Sequence, residues 1–180
     1  KCTVPSEREE YETMLRHEFR ALNAVRHIHI VHIFGVSLDD PKWVALLLEL
    51  APRGSLRGLL DGHAAEVVGV LRIQRQLLLG IVAGMACLHA HEPRPILHHD
   101  LKSDNVLIWP DEATGGFLPK LTDFGLATGT AGTTMRTMRN KTGAGTLAYK
   151  APEAFDDKYD MRSEVDWSFD TWTVGADWRM

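Results

Sequence analysis

The sequence predicts an α+β protein with a small lobe that contains a sheet and a larger lobe that is mostly helical. Extended stretches rich in Ile, Val and Leu lie before residue 51, whereas helical spacing of apolar residues dominates the region that follows. A segment of turn-forming residues, Ala51-Pro52-Arg53-Gly54-Ser55, separates the two regions. Strand and helix content segregated along a chain in this way is typical of the α+β class.

The composition is that of one globular domain: 180 residues, of which 44% are hydrophobic and 24% charged. The formal net charge of -4 is small and no basic block is present, so nucleic acid is not expected as a partner. Cys2 and Cys87 are too far apart in sequence for a disulfide framework or a zinc site, which favours a reducing compartment. The longest mostly apolar run, Leu77–Leu88, is shorter than the roughly 20 residues that cross a bilayer, so no membrane contact is expected.

The first predicted element is a helix from Glu7 to Val25. Ser6 and Glu9 have the spacing of a capping box, which satisfies the free amides at a helix start. Glu18 falls on the apolar stripe of this helix, and a buried carboxylate requires a cationic partner from elsewhere in the fold. The stripe itself consists of Tyr11, Leu15, Leu22 and Val25.

A hairpin and a second helix are predicted next. The stretches Ile28–Val36 and Trp43–Leu50 are separated by the turn-forming Asp39-Asp40-Pro41, which indicates two paired strands. After residues 51–55, apolar residues recur at helical spacing from Leu71 to Leu88, until the prolines that follow end the pattern.

The polar residues that could carry chemistry follow this helix. In the run I-L-H-H-D-L-K-S-D-N-V-L-I, which begins at Ile96, two brief predicted strands flank a loop with Asp100, Lys102 and Asn105. A further short strand, Leu118–Thr122, leads into Asp123. Carboxylate and amide oxygens are the ligands that Mg²⁺ prefers when it also binds substrate phosphates, and Lys102 adds a cation for a phosphoryl group.

These segments resemble the catalytic loop and the D-F-G motif of the eukaryotic protein kinase family. Residues Gly145–Glu153 resemble the end of the activation segment of that family, including its A-P-E motif, which disfavours a small-molecule kinase. The resemblance covers nearly the whole chain. Gly54-Ser55-Leu56 and Leu101-Lys102-Ser103 are most similar to the tyrosine-kinase-like group of serine/threonine kinases.

The resemblance implies a bilobal protein-kinase-like fold that is truncated at both ends. Residues 1–180 would form an incomplete kinase domain, with 1–50 as a partial N-lobe that contains helix αC and 51–180 as a partial C-lobe that ends in helix αF. The family's glycine-rich loop would precede Lys1, and the helices that follow αF would be missing. Because those parts hold the ATP phosphates and complete the larger lobe, the 180-residue chain is expected to have weak activity or none.

The resemblance also assigns the catalytic and metal-binding residues. Asp100 matches the catalytic base, and Lys102 matches the lysine that stabilises the γ-phosphate of ATP. Asn105 and Asp123 match the two residues that bind Mg²⁺. The implied cofactors are therefore ATP and Mg²⁺.

The remaining assignments concern the nucleotide. Lys1 matches the lysine that positions the ATP phosphates and would be the ion-pair partner of Glu18. Glu49 and Ala51 lie in the hinge that hydrogen-bonds adenine, and Leu107 is a further residue of the nucleotide site. The stacked apolar positions that link the two lobes in this family correspond to Leu22, Ile33, His98 and Phe124.

His99 occupies the place where many kinases have an arginine that binds a phosphorylated activation loop. Because histidine is a poorer phosphate ligand, activity is expected not to depend strictly on phosphorylation of that loop. His27, His29 and His32 could be interpreted as a zinc cluster, but packing roles are favoured. The candidate phosphorylation sites are Thr128, Thr130, Thr133, Thr134, Thr137, Thr142 and Thr146.

The resemblance implies a protein substrate phosphorylated on serine or threonine. It is compatible with a cytoplasmic protein and with the intracellular domain of a receptor, and it leaves the oligomeric state open. The alternative is a pseudokinase or a nucleotide-binding scaffold. Only the truncated ends favour that alternative, since every catalytic-loop and metal-binding identity is retained.

Overall fold

A computed structural model describes residues 5–37 and 44–124. Lys1, the turn at Asp39-Asp40-Pro41, the candidate threonine sites and the A-P-E segment lie outside the described residues. Predictions that concern those positions therefore remain predictions.

Helix α1 spans Pro5–Ala24 and confirms the first predicted helix. Because the helix already begins at Pro5, Ser6 lies in its first turn rather than at the predicted cap, and proline suits a first helical position. The apolar stripe is buried only at its C-terminal end, where Leu22 and Val25 are almost inaccessible, whereas Tyr11 is 52% exposed. The helix therefore packs against the sheet through its C-terminal half.

Strands β1 (Ile33–Ser37) and β2 (Ala45–Leu48) pair antiparallel, which confirms the predicted hairpin over a shorter range. The predicted first strand was wrong over residues 28–32. There Ile30 forms a parallel bridge to Leu121, and Val31 N donates to Leu121 O at 2.9 Å. The apolar content of this segment thus reflects burial against a different strand, which the sequence pattern does not distinguish.

The connector at residues 51–55 leads into a short helix, α2 (Leu56–His63), which was not predicted from the sequence. Gly54 adopts a φ of +66°, a left-handed conformation that suits glycine. Ser55 caps the helix, since its hydroxyl accepts a hydrogen bond from Gly58 N at 3.2 Å. The buried face of α2 consists of Leu56, Leu59 and Leu60.

Helix α3 spans Leu71–His89, in agreement with the second predicted helix. It packs against the last described strand. By length and composition alone it would pass as a membrane-crossing segment, the one such helix among the described residues. Its buried face, however, belongs to the core of the protein, as expected of a central helix: Ile73, Leu77, Gly80, Ile81, Gly84, Met85 and Leu88.

Strands β3 (Val106–Asp111) and β4 (Gly116–Leu121) form a second antiparallel hairpin. Of the two brief strands predicted to flank the polar loop, the second is β3, whereas the first is reduced to a single β-bridge residue, the buried Leu97. The connector is hydrogen-bonded to the outer edge of β3, where Arg53 N donates to Ile108 O at 3.2 Å and Ile108 N donates to Gly54 O at 2.9 Å. Residues 29–31 occupy the outer edge of β4.

One hydrophobic core joins both hairpins to the three helices. Side chains from α1, β1, α2, α3, β3 and β4 contribute to it, together with Phe124 just beyond β4. The β3–β4 hairpin therefore lies where the two predicted lobes meet. The polar residues of the predicted site lie directly before β3 and directly after β4.

Candidate active site

The loop before β3 brings three of the predicted site residues together. Residues Ser103–Asn105 form a single 3-10 turn, in which Asn105 N donates to Lys102 O at 2.9 Å. The side-chain Nδ2 of Asn105 donates to the backbone oxygen of Asp100 at 2.8 Å. Because the amide nitrogen is engaged inside the loop, the amide oxygen is the atom that can serve a cation.

Lys102 and Asp100 form an ion pair in this loop, with Nζ 2.7 Å from Oδ2. Partial burial lowers the pKa of Lys102, but its hydrogen bond to Asp100 and the negative charges of Asp100, Asp123 and Asp104 outweigh this effect. The net result is a pKa above the ordinary lysine value, so the ammonium group stays charged. Lys102 therefore provides a permanent positive charge between the carboxylates of the loop and that of Asp123.

Asp123 is held next to this loop by backbone hydrogen bonds. Thr122 N donates to Asn105 O at 3.0 Å, and the buried His98 donates from Nε2 to Thr122 O at 2.9 Å. The backbone of Asp123 has a φ of 64°, and His99 has the same value. Such left-handed conformations cost a non-glycine residue on the order of 1–3 kcal/mol and are concentrated at functional sites.

Helix α1 reaches the site through Glu18. The backbone N–H of Phe124 donates a hydrogen bond to the Glu18 carboxylate, and the negative charge of Asp123 lies close by. Burial, and after it the charge of Asp123, raises the pKa of Glu18 to about 7, although the hydrogen bond opposes this rise. The structure thus places Glu18 beside the Asp123–Phe124 segment, while its predicted partner Lys1 lies outside the described residues.

The four predicted stacking positions are all buried. Leu22, Ile33 and Phe124 belong to the common core, and His98 is inaccessible to solvent. The rings of His98 and Phe124 contact each other, with their centroids 5.0 Å apart. Phe124 is therefore anchored in the core, while the neighbouring Asp123 is exposed.

The predicted adenine-contacting residues lie at the end of β2 and in the connector. The side chain of Glu49 points to β4, where both carboxylate oxygens accept hydrogen bonds from Lys120 Nζ at 2.7 and 2.8 Å. The Glu49 backbone N–H donates to His32 O at 3.0 Å, so its backbone carbonyl is the group that remains to accept a hydrogen bond from a nucleotide. Ala51 is partly buried, and Leu107 in β3 pairs with Lys120 across the hairpin.

The pair of Glu49 and Lys120 was not predicted from the sequence. A signal was present, because each is a charged residue in an apolar, strand-like stretch and a buried charge requires a partner. Their separation in sequence gave no indication that each was the other's partner.

Asn105 and Asp123 are better suited to bind a cation such as Mg²⁺ than the three histidines are. Asn105 offers an amide oxygen and Asp123 an exposed carboxylate, a donor set that suits Mg²⁺ bound together with phosphates. The rings of His27 and His29 lie at an angle of 47° with their centroids 5.5 Å apart, and His29 donates from Nδ1 to Pro119 O at 2.8 Å. Within residues 5–37 and 44–124, no three or more His, Cys, Asp or Glu side chains are grouped to hold a metal.

Comparison with known proteins gives a match over almost the entire chain. A family model described as protein kinase domain matches residues 1–176. Stress-activated protein kinase alpha of Dictyostelium discoideum is 34% identical over 149 residues, which cover 82% of this chain and 22% of that protein.

Two further similar proteins come from other lineages. Mitogen-activated protein kinase kinase kinase 7 of Homo sapiens is 33% identical over 161 residues, covering 87% of this chain and 24% of that protein. Receptor-like protein kinase HAIKU2 of Arabidopsis thaliana is 34% identical over 151 residues, covering 82% of this chain and 14% of that protein. The chain thus spans at most a quarter of the length of these three relatives.

Proposed function

The chain belongs to the protein kinase family, and from this premise we propose that it transfers the γ-phosphate of Mg-ATP to a serine or threonine hydroxyl of a protein substrate. The observation that carries the proposal is the grouping of Asp100, Lys102 and Asn105 in one loop beside Asp123. Phosphoryl transfer needs a base, a cation and metal ligands in this kind of proximity.

Asp100 is proposed as the catalytic base. Its carboxylate is positioned by the hydrogen bond from Lys102 and by the contact of Asn105 with the same loop. In that position it accepts the proton of the attacking hydroxyl, a contribution that is typically worth about 10²–10⁴-fold in rate. Lys102, charged at all physiological pH values, stabilises the negative charge on the transferred phosphoryl group.

Asn105 and Asp123 are proposed to hold the metal, and Glu18 and Lys1 to position the phosphates. Mg²⁺ would neutralise charge on the phosphate oxygens and orient them. The proposal that Glu18 pairs with Lys1 is supported by the partly buried carboxylate at this point and by its hydrogen bond from Phe124 N–H. A cation next to Glu18 would remove the cost of burying its charge beside Asp123.

The adenine ring is proposed to contact the chain where the two predicted lobes meet. The backbone of Glu49 and Ala51 would supply hydrogen bonds, and Leu107 an apolar surface. The ion pair with Lys120 supports this assignment, because it directs the Glu49 side chain away and fixes its backbone. Residues 1–50 are accordingly proposed as the smaller lobe and 51–180 as the larger.

The cellular setting is proposed from the chemistry and from the relatives. The proposed setting is the cytoplasm or the cytoplasmic part of a receptor, both of which contain ATP. The relatives named above include a receptor-like protein kinase. The proposed partner is a protein that presents a serine or threonine.

Phosphate transfer tests the proposal, measured for the wild type and for Asp100→Asn in a longer chain that also contains the glycine-rich loop and the later helices expected of this family, with Mg-ATP binding measured on both. We expect Mg-dependent incorporation into an added acceptor protein that falls about 10²-fold or more in the variant, while ATP binding is retained. Equal, residual incorporation by both proteins with retained binding would favour the pseudokinase alternative. If the wild type does not bind Mg-ATP, both the proposed kinase function and the nucleotide-binding alternative are contradicted.

A further inference from the structure

His29 is tied to β4 by two hydrogen bonds. Its backbone oxygen accepts from Leu121 N at 2.9 Å, and its ring donates from Nδ1 to Pro119 O at 2.8 Å. The ring nitrogen must carry the proton, because a carbonyl oxygen can only accept. One residue of the α1–β1 connection thus contacts two alternate residues of the strand that leads to Asp123.

The ring of His29 replaces a backbone partner that β4 lacks. The segment 29–31 pairs with β4 at Leu121, and the next carbonyl on the same edge is that of the buried Pro119. A buried carbonyl without a partner is costly, and the His29 side chain supplies the missing donor. Through this side-chain hydrogen bond, the segment 29–31 is bound to β4 at Pro119 as well as at Leu121.

Helix α3 has a notch in which His29 lies. A Cβ atom added at Gly80 would come within 2.6 Å of Pro119 Cγ and within 2.8 and 2.9 Å of two atoms of the His29 ring, and one added at Gly84 would come within 2.8 Å of the His29 backbone oxygen. Both glycines are buried and lie one helical turn apart. Glycine inside a helix costs about 0.5–1 kcal/mol relative to alanine, and the close packing of His29 and Pro119 explains why glycine occupies these two positions.

We propose that His29, seated against Gly80 and Gly84, is a positioning residue that sets the location of Asp123 relative to helix α1. This inference rests on the proposed phosphotransfer function. The connection that contains His29 follows α1 directly, and α1 also contacts the Asp123–Phe124 segment through Glu18. His29 fixes the strand before that segment, so α1 and the metal-binding carboxylate move as one unit.

Two substitutions of His29 distinguish the effect of its side-chain hydrogen bond from the effect of its packing. His29→Ala removes the donor to Pro119 O, whereas His29→Asn keeps a donor at about the same distance from the backbone. Gly84→Ala displaces the His29 backbone and serves as a second variant in case His29→Ala does not fold. Leu59→Ala shortens a buried side chain of α2 and is the control for a general loss of stability.

The first readout is hydrogen exchange, which does not require activity. We expect exchange of the Phe124 amide to accelerate by about tenfold or more in His29→Ala and Gly84→Ala, but not in His29→Asn. In Leu59→Ala, hydrogen exchange of the Phe124 amide should accelerate no more than exchange of the core amides of α3. Equal acceleration of Phe124 and of the α3 amides in His29→Ala, as in the control, would overturn the proposal.

The second readout is kinetic. In the longer chain used to test the proposed function, we expect His29→Ala to lower kcat about tenfold or more and to raise the Mg²⁺ concentration for half-maximal rate, with recovery in His29→Asn. An unchanged Mg²⁺ dependence together with an unchanged kcat would contradict the proposal. If the wild type binds Mg-ATP but transfers no phosphate, the proposed function fails, while the exchange experiment still decides whether His29 positions the segment.

Discussion

Lys120 and Glu49 form a two-point ion pair that links the end of β2 to β4, with Nζ 2.7 and 2.8 Å from the two carboxylate oxygens. The backbone N–H of His32 donates to the same carboxylate at 2.7 Å, and the ammonium group lies 4.6 Å from the centre of the Trp109 ring. Both charged groups are mostly buried, with 14% and 19% of their side chains exposed. The pair therefore connects the proposed adenine-binding backbone with the strand that leads to Asp123.

Replacing Lys120 with Met is expected to lower the free energy of unfolding by about 2–4 kcal/mol, because Glu49 is left with a mostly buried, unpaired charge. The double variant Lys120→Met/Glu49→Gln should recover most of this loss. Urea denaturation of the single and double variants measures both values. A loss below about 0.5 kcal/mol in the single variant would mean that the pair behaves as a solvent-exposed one.

Glu18 is expected to make stability depend on pH. Its pKa rises from the ordinary 4.5 to about 7 in the folded protein, so the folded state binds the proton more tightly than the unfolded state. The stability contributed by this proton is complete below pH 4.5 and is lost as the pH rises through about 7, by up to about 3 kcal/mol.

Glu18→Gln tests this dependence, because glutamine stays neutral and can still accept the hydrogen bond from Phe124 N–H. In a Lys1→Met background, which lacks the proposed cation, Glu18→Gln should be near neutral at pH 5 and stabilising at pH 8, as measured by urea denaturation at both values. With Lys1 present, Glu18→Gln should instead destabilise the protein at pH 8, because it breaks the proposed ion pair, and an equal effect in both backgrounds would contradict the pairing.

His99 leads to a prediction about activation. Because the imidazole is a poor phosphate ligand, phosphate transfer by a longer chain that completes the kinase domain is expected to persist when six threonines are all replaced by alanine, namely Thr128, Thr130, Thr133, Thr134, Thr137 and Thr142. Thr146 stays unchanged because it lies in the segment that resembles the end of the activation segment. The measurement is the rate of transfer relative to the wild type.

His99→Arg is the matched variant for this experiment. Arginine binds phosphate through two parallel hydrogen bonds, so this background should make the rate sensitive to the threonine replacements. Loss of transfer by the threonine variant in the original His99 background would contradict the prediction.

The long helices could be predicted from the sequence, whereas the short one could not. Apolar spacing identified α1 and α3 because each presents a buried face over several turns. Helix α2 has only eight residues and contains Gly58 and Gly62, both unfavourable in helices, so its apolar pattern was too short to stand out. The Ser55 cap was its clearest local signal.

The local part of the site could also be predicted, in contrast to its long-range contacts. Asp100, Lys102 and Asn105 are neighbours in sequence, so their spacing alone placed them in one loop. The contact of Glu18 with Phe124 and the pair of Glu49 with Lys120 join distant segments. The sequence showed that these charged residues needed partners, but only the fold identifies which ones.

The position of the β3–β4 hairpin restricts how the two parts of the molecule can move. Residues 29–31 are hydrogen-bonded to one edge of this ribbon and residues 53–55 to the other, so both crossings of the chain are fastened to the same two strands. A rotation of these two parts relative to each other must therefore pivot on the ribbon itself. Because α1 also contacts the Asp123–Phe124 segment through Glu18, the stretch that is left to bend is Leu50–Pro52.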